Sequence, residues 1–508
     1  MNGLIKRAAW LAGSALVLAL SAPSAALADW RRAETAHFVV YSNGSERGLR
    51  DYATRLERFD ALLRALNSGM EPPTGVRKLP VYLVDNAREL RTVQPGLPAG
   101  VGGFYRASPR DIRAVLVRGE NDDVLLHEYV HHFMSHNSPG SYPGWFREGY
   151  AEYFMTATVD ARGKATFGLP NTGRLRTLQE IRWIPLEQLL STSPLEIERR
   201  GQRAAFYAQS WLLTHYLLSD AGRRQTLNDY LLAQREPGTD PVASLTGALG
   251  TTTEALNSDL RAYLGRLRYN ELEVPPLDPG MTVTLLPDSA DDMMLIGLDV
   301  LDDAPADAGP GLLERVRPLA ARHPNDPFAQ TVLAQAEIAW GDPAAGDRAL
   351  ETVLSIDPNW VEALLAAAHR HITAADAATD DAERIARFQQ ALALMARAHQ
   401  ADPTDYRVLG TLARIRMSSP DYPTENDLET LRTAVFHAPQ VTYLRGRAAD
   451  AMIAAGHDAE AIHYLLPLAN NPHGGQFAEM ARERIEAIRA RREAAAADAP
   501  AETVDEAS

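Results

Sequence analysis

The chain has 508 residues, of which 45% are hydrophobic and 23% charged, with a formal net charge of −15 and no cysteine. That length exceeds what one hydrophobic core serves, so two or three domains are expected. The lack of thiols excludes disulfides, thiolate metal ligands and a lipid-modified cysteine, and the acidic balance argues against nucleic acid or anionic lipid as the main partner.

Residues 1–28 read as a cleaved secretory signal: Lys6 and Arg7, an apolar run from Ala8 to Leu20, then Ala26-Leu27-Ala28 before Asp29. The run is too short to span a bilayer, so no stable membrane anchor is expected. Losing the two cations takes the formal charge from −15 to −17. The expected destination is the periplasm, with release from the cell as the other outcome of export.

Ala36 to Ser42 is β-rich and Asn43-Gly44 breaks it. From Glu46 to Leu66 apolar residues recur at three and four, which predicts an amphipathic helix. Strand-like runs follow at Leu79–Val84, Gly103–Arg106 and Ile112–Val117, and from Asp122 the pattern turns helical. Asn137 to Gly144 reads as a loop, a second helix opens near Trp145, a third contains Phe206 to Leu218, and further helix is expected to about Tyr269. This order predicts an α+β domain over residues 29–272.

Residues 273–310 begin with Pro275, Pro276, Pro279 and Pro287 around one β-like run, Met281 to Leu286, and read as a linker. Beyond it the chain is Ala- and Leu-rich with helical periodicity. Proline recurs at Pro324, Pro358, Pro403, Pro439 and Pro472, at intervals of 34, 45, 36 and 33. Within the unit Pro327 to Pro358 lie Leu333-Ala334, Gly341-Asp342, Gly346 and Leu350. This unit resembles the tetratricopeptide repeat, and Gly456, Ala461 and Pro472 match it more loosely. The resemblance implies an all-α repeat array over residues 311–493 whose concave surface takes an extended peptide or a protein partner. The 45-residue interval departs from the pattern, and its excess is assigned to the polar stretch Thr373 to Glu383. The tail, residues 494–508, is Ala-, Asp- and Glu-rich and is expected to be disordered.

The chemistry-bearing motif is His127-Glu128-Tyr129-Val130-His131. Residues four apart on a helix sit about 40° apart around its axis, so two imidazoles at this spacing can bind one Zn²⁺ while Glu128 lies close enough to take a proton from its water. His132 and His136 form a second such pair, turned about 100° away and expected to pack. A third histidine six residues after His131 would complete a metzincin site, but Asn137 stands there and Met134 replaces the intervening glycine. The other source of a third ligand is a glutamate from the next helix, and Trp145-Phe146-Arg147-Glu148-Gly149-Tyr150-Ala151-Glu152-Tyr153 offers two, with Gly149 and Ala151 letting the two helices of the hairpin approach.

His127-Glu128-x-x-His131 followed by Trp145-x-x-Glu148-Gly149-x-Ala151-x-Tyr153 resembles the gluzincin peptidases, and residues 30–270 look closest to the bacterial "peptidase MA-like" group. The tight motifs span positions 127–153. The resemblance implies a thermolysin-like catalytic core, zinc held by His127, His131 and Glu148, Glu128 as base, and Glu152 orienting a histidine. It further implies an oxyanion stabiliser on a later helix, for which Tyr207 is the candidate and His215 the next. The strand Ala114-Val115-Leu116-Val117 could pair with an extended substrate. The expected function is hydrolysis of peptide bonds in a peptide or protein substrate. The alternatives are an exported scaffold that has lost turnover and a hydrolase of cell-wall peptide cross-links.

Overall fold

The computed structural model describes residues 29–67, 75–98, 100–119, 123–137, 142–197, 199–235, 239–275, 280–302 and 307–497. The expected signal at 1–28 lies outside them, as does the tail beyond 497. Among the described residues no helix is long and apolar enough to cross a membrane.

The first half is built on a mixed sheet. Strands β1 (Arg31–Glu34) and β2 (Phe38–Ser42) pair antiparallel, and helix α1 (Glu46–Leu66) carries the chain back to β3 (Leu79–Val84), parallel to β2. Ser45 starts α1 by accepting from the Gly48 N–H, and Leu49, Ala53, Leu56, Leu62 and Leu63 supply its buried face. After α2 (Ala87–Val93) come β4 (Gly103–Ala107) and β5 (Ile112–Val117), antiparallel to each other, with β5 parallel to β3. Every residue of β5 is buried, so the strand expected to receive substrate is a core strand, and the sheet ends instead at β4.

Helices α3 (Asp123–Asn137) and α4 (Gly144–Phe154) follow as a hairpin. A small sheet then joins β6 (Thr158–Val159), β7 (Lys164–Phe167) and the later β8 (Asn270–Glu273). Between β7 and β8 run α5 (Thr172–Glu180), α6 (Leu186–Ser191), α7 (Arg200–Leu218), α8 (Ala221–Ala233), α9 (Pro241–Leu249) and α10 (Thr253–Tyr263).

The segment read as a linker is integrated into the fold. Strand β9 (Thr282–Leu285) pairs with β1 and completes the sheet order β4-β5-β3-β2-β1-β9. Helix α11 (Ser289–Leu301) then packs beside α2. The buried Arg113 of β5 ties the two together through Asp302 and the Leu298 carbonyl, 3.3 Å away.

The rest is an array of helices: α12 (Gly309–Ala320), α13 (Pro327–Trp340), α14 (Pro343–Ile356), α15 (Val361–Ala377), α16 (Asp381–Ala401), α17 (Tyr406–Arg416), α18 (Glu425–His437), α19 (Thr442–Ala454), α20 (Asp458–Ala469) and α21 (Gln476–Ala497). Successive helices pack on one another, most extensively α15 with α16, α13 with α14 and α19 with α20. Asp326 and Asp342 cap α13 and α14, each followed by proline in the first turn. Pro324, Pro358, Pro403, Pro439 and Pro472 each stand just beyond a helix end, which is why they mark the period. The long interval lengthens helices: α15 and α16 are 17 and 21 residues against 14 each for α13 and α14, and the polar stretch Thr373 to Glu383 forms the end of α15, the start of α16 and the short turn between them. Helix α21 continues to Ala497, into the segment expected to be disordered.

One hydrophobic core joins both halves. Phe38, Leu56, Val130, Trp145 and Trp211 belong to the same buried cluster as Tyr406, Leu431, Leu444 and Leu465.

Candidate metal centre

Helix α3 has two faces with different work. Leu125, Tyr129, Val130 and Phe133 bury its back against the sheet and α1, leaving His127, Glu128 and His131 on the front. Tyr129 anchors that back face by donating to Asp60 on α1 at 2.7 Å. Helix α4 returns alongside with Glu148 fully buried. Gly149 serves a contact other than the one expected for it. A Cβ there would meet Thr214 Oγ1 at 2.2 Å and the Ser210 carbonyl oxygen at 2.4 Å, so glycine admits α7, not α3, against α4.

His127, His131 and Glu148 bring one donor atom each to within 4.8 Å of one another. The two Nε2 atoms are 3.2 Å apart, Glu148 Oε2 is 3.4 Å from His127 Nε2, and Glu148 Oε1 is 3.5 Å from His131 Nε2. Donors on a tetrahedron with zinc bonds of 2.0–2.1 Å are about 3.3–3.4 Å apart, so these edges fit that ion. Both Glu148 oxygens are buried without a hydrogen-bond partner among the described residues, as is His131 Nδ1. A carboxylate in that condition calls for a cation.

The electrostatics agree. Burial alone would raise the Glu148 carboxyl, but His131, His127 and His473 around it outweigh burial and hold it well below the usual range. Burial opposes charge on His127, and contact with Glu148 together with the charges of Glu152 and Glu128 overrides it, lifting the imidazole to about 9.

Glu152 is already engaged. Arg174 grips both its oxygens, Nε at 2.8 Å from Oε2 and Nη2 on Oε1, and Asn171 Nδ2 donates to Oε2 at 3.3 Å. Its Oε1 lies 3.7 Å from His127 Nδ1, the far side of the ring from the donor cluster. That is the position of a group that orients the imidazole.

Tyr207, on α7, stands next to Arg174, the arginine that grips Glu152. Arg174 sits 5.4 Å over its ring, and burial followed by the charge of Glu148 pushes its phenol well above the ordinary value, so it remains a donor at neutral pH. His215 is elsewhere: Nδ1 is 2.9 Å from Tyr263 Oη and Nε2 is 3.0 Å from the Gly168 carbonyl, which makes it a structural residue. His132 is buried 3.1 Å from Tyr105 Oη, and His136 Nδ1 bonds the His132 carbonyl at 3.1 Å, so this second pair packs.

The cleft in front of the donors, about 290 Å³, has two walls. Tyr105, Glu128, His131 and Glu148 form one, and Pro439, Gln440, Leu468 and His473 of the helical array form the other. His473, in the turn between α20 and α21, places Nε2 3.3 Å from Glu148 Oε1. The turn is held by Ser193 Oγ, which donates to the Pro472 carbonyl at 2.6 Å. Sequence reading missed His473 because it stands 325 positions beyond Glu148 in no motif, and only the tertiary fold joins them.

No family model matches the chain, and no curated protein matches it. Among solved structures it is similar to TTC0263, a thermophilic TPR protein of Thermus thermophilus, at 15% identity over 39% of this chain and 99% of that one, with a TM-score of 0.33. It is also similar to MamA at 15% identity over 41% of this chain and 99% of that one, with a TM-score of 0.26, and to an RS-1 MamA double mutant at the same identity and TM-score.

Proposed function

We propose that the protein is an exported zinc-dependent peptidase with a gluzincin-type, thermolysin-like catalytic part, working inside a cleft that its tetratricopeptide-like array helps to enclose. The observation that carries this reading is the convergence of His127, His131 and the buried Glu148, one donor atom each within 4.8 Å, with a third imidazole, His473, 3.3 Å from Glu148 Oε1 and Glu128 on the same helix as the first two histidines. A zinc ion held by these residues would supply a Lewis acid that acidifies water and polarises a carbonyl.

The remaining work falls to the chain's own groups. Glu128, one residue after the first histidine and open to the cleft, accepts a proton from the attacking water and passes it to the leaving amine. His473 of the array stands beside Glu148 and can donate to an oxyanion at the reacting carbonyl, and Tyr207 on α7, next to Arg174, is the second candidate for that role. Strand β4 ends the sheet beside α3, so an extended peptide can add to its free edge.

The test is zinc content together with hydrolysis of a quenched mixed-peptide library, for the mature chain and its Glu128→Ala variant. One zinc in both and cleavage by the first alone is the expected result. Absence of zinc from both sinks the reading.

A second reading is favoured by the array itself, whose paired helices leave a groove of about 330 Å³ lined by Leu350, Leu354, Ala367, Arg370 and Leu394. A scaffold using that surface for protein binding would hold zinc without turnover, and the same experiment separates it from a peptidase.

A further inference from the structure

Two arginines line the cleft that holds the candidate metal donors. Arg147, on α4 next to Glu148, is partly buried, and Arg445, on α19, is 5% exposed. Arg445 donates from Nε to the Pro439 carbonyl, which closes the turn between α18 and α19. Its two terminal nitrogens have no hydrogen-bond or ion-pair partner among the described residues, and neither has the Arg147 side chain.

A guanidinium taken out of water ordinarily acquires a carboxylate. Elsewhere this protein follows that rule: Arg407 pairs with Asp405 and Glu362, Arg113 with Asp111 and Asp302, Arg174 with Glu152. At Arg445 the surroundings run the other way. Burial, then the like charge of Arg147, lowers it to about 10, so it remains a cation at neutral pH. Neighbouring His136 is held neutral, at about 4, chiefly by burial, and Tyr464 is a neutral phenol. The acid beside Arg147 is Glu148, whose oxygens face the histidines.

We propose that Arg445 and Arg147 form a carboxylate-binding subsite of the cleft, which recognises a carboxylate of the peptide substrate. The substrate class rests on the peptidase reading; the anion site does not. Planar bidentate recognition suits arginine and a carboxylate, and a site built this way rejects an analogue that lacks the charge. The carboxylate has two sources, the peptide C-terminus or an acidic side chain. A C-terminal carboxylate would make the enzyme trim chain ends, whereas a side chain would set sequence preference within a chain.

The experiment is equilibrium binding to the full mature chain carrying Glu128→Gln, so that turnover does not remove the probe. Three fluorescently labelled penta-alanine probes are compared by anisotropy: one with a free C-terminal carboxylate, one C-terminally amidated, and one amidated with a central glutamate. The expected result is that at least one carboxylate-bearing probe binds about tenfold or more tightly than the uncharged amide, which also identifies the source. Arg445→Gln removes that preference and Arg445→Lys keeps part of it, with zinc content unchanged and both variants folded by circular dichroism, though less stable for the lost bond to the Pro439 carbonyl. Equal affinity for all three probes, no binding of any, or a preference that survives in a folded Arg445→Gln chain overturns the proposal. Because the readout is binding, a chain that holds the carboxylate yet never cleaves a peptide refutes the peptidase and leaves the subsite standing.

Discussion

Glu148 and Glu152, one helical turn apart, have different surroundings. Both are buried acids on α4, yet Arg174 and Asn171 take up Glu152 whereas the oxygens of Glu148 face two imidazoles and lack a hydrogen-bond partner among the described residues. Glu148→Ala should abolish stoichiometric zinc binding. Glu152→Ala should keep the site but weaken it roughly 10- to 100-fold by freeing the His127 ring; competition with a fluorescent chelator measures both. The elevated His127 imidazole, at about 9, gives a pH dependence. In the metal-free chain it is protonated at neutral pH, so binding expels about one proton, and affinity should rise about tenfold per pH unit between roughly 7 and 9. Calorimetry in buffers of different ionisation enthalpy reads that proton, and a pH-independent affinity would contradict the arrangement. The pair His127 and His131 was legible from spacing alone. The choice of Glu148 over Glu152 rested on the family resemblance alone, since both are one helix away and the partner that occupies Glu152 comes from a loop and helix about twenty residues later.

At the scale of elements, the α3–α4 hairpin is positioned from behind. Helix α7 presses into α4 at Gly149, where the Ser210 carbonyl oxygen leaves no room for a Cβ. Gly149→Ala should cost about 1–3 kcal/mol by overpacking and shift Glu148, so chemical denaturation and zinc affinity should both fall. Helix α11 carries a separate strain. Asp299 is buried, its carboxyl has no hydrogen-bond partner among the described residues, and burial raises it from 3.8 to about 6. For an acid raised on folding, the stabilising protonated form is fully present below 3.8, and the contribution is lost as pH rises through about 6. Asp299→Asn should therefore stabilise the chain at pH 7, by at most about 3 kcal/mol, and leave it unchanged near pH 3.5; melting temperatures at the two pH values test this. Long elements were readable because periodicity accumulates over many residues: α1 and β3 have the predicted limits. The short strands β1, β6, β7 and β8 were not, since two to four half-polar residues carry no pattern and are held in place by their partners. The choice of β5 as a free edge failed for the same reason, because strand order is a property of the sheet.

Over the whole molecule, the helical array and the α+β half form one body. Tyr406 donates to the Ser108 carbonyl at 3.2 Å, Arg77 lies 3.2 Å from Asp405, and the core runs from Val130 to Leu465 without a break. Calorimetry of the intact chain should show the α+β half and helices α17–α21 melting in one transition, and a chain ended after residue 288 should be insoluble, its exposed core face having lost its cover. Two separate transitions would contradict a shared core. The sequence by itself determined that His127 and His131 share one helix face, the periods of the helices and the repeat of prolines at their ends, because each depends on neighbours within one or two turns. Tertiary structure alone decided that β9 and α11 close the first half, that the array walls the cleft, that His473 stands beside Glu148, and that Arg445 lines the same cleft. Those contacts join residues hundreds of positions apart, and they exist because apolar surface on both halves is buried most completely when the two share one core.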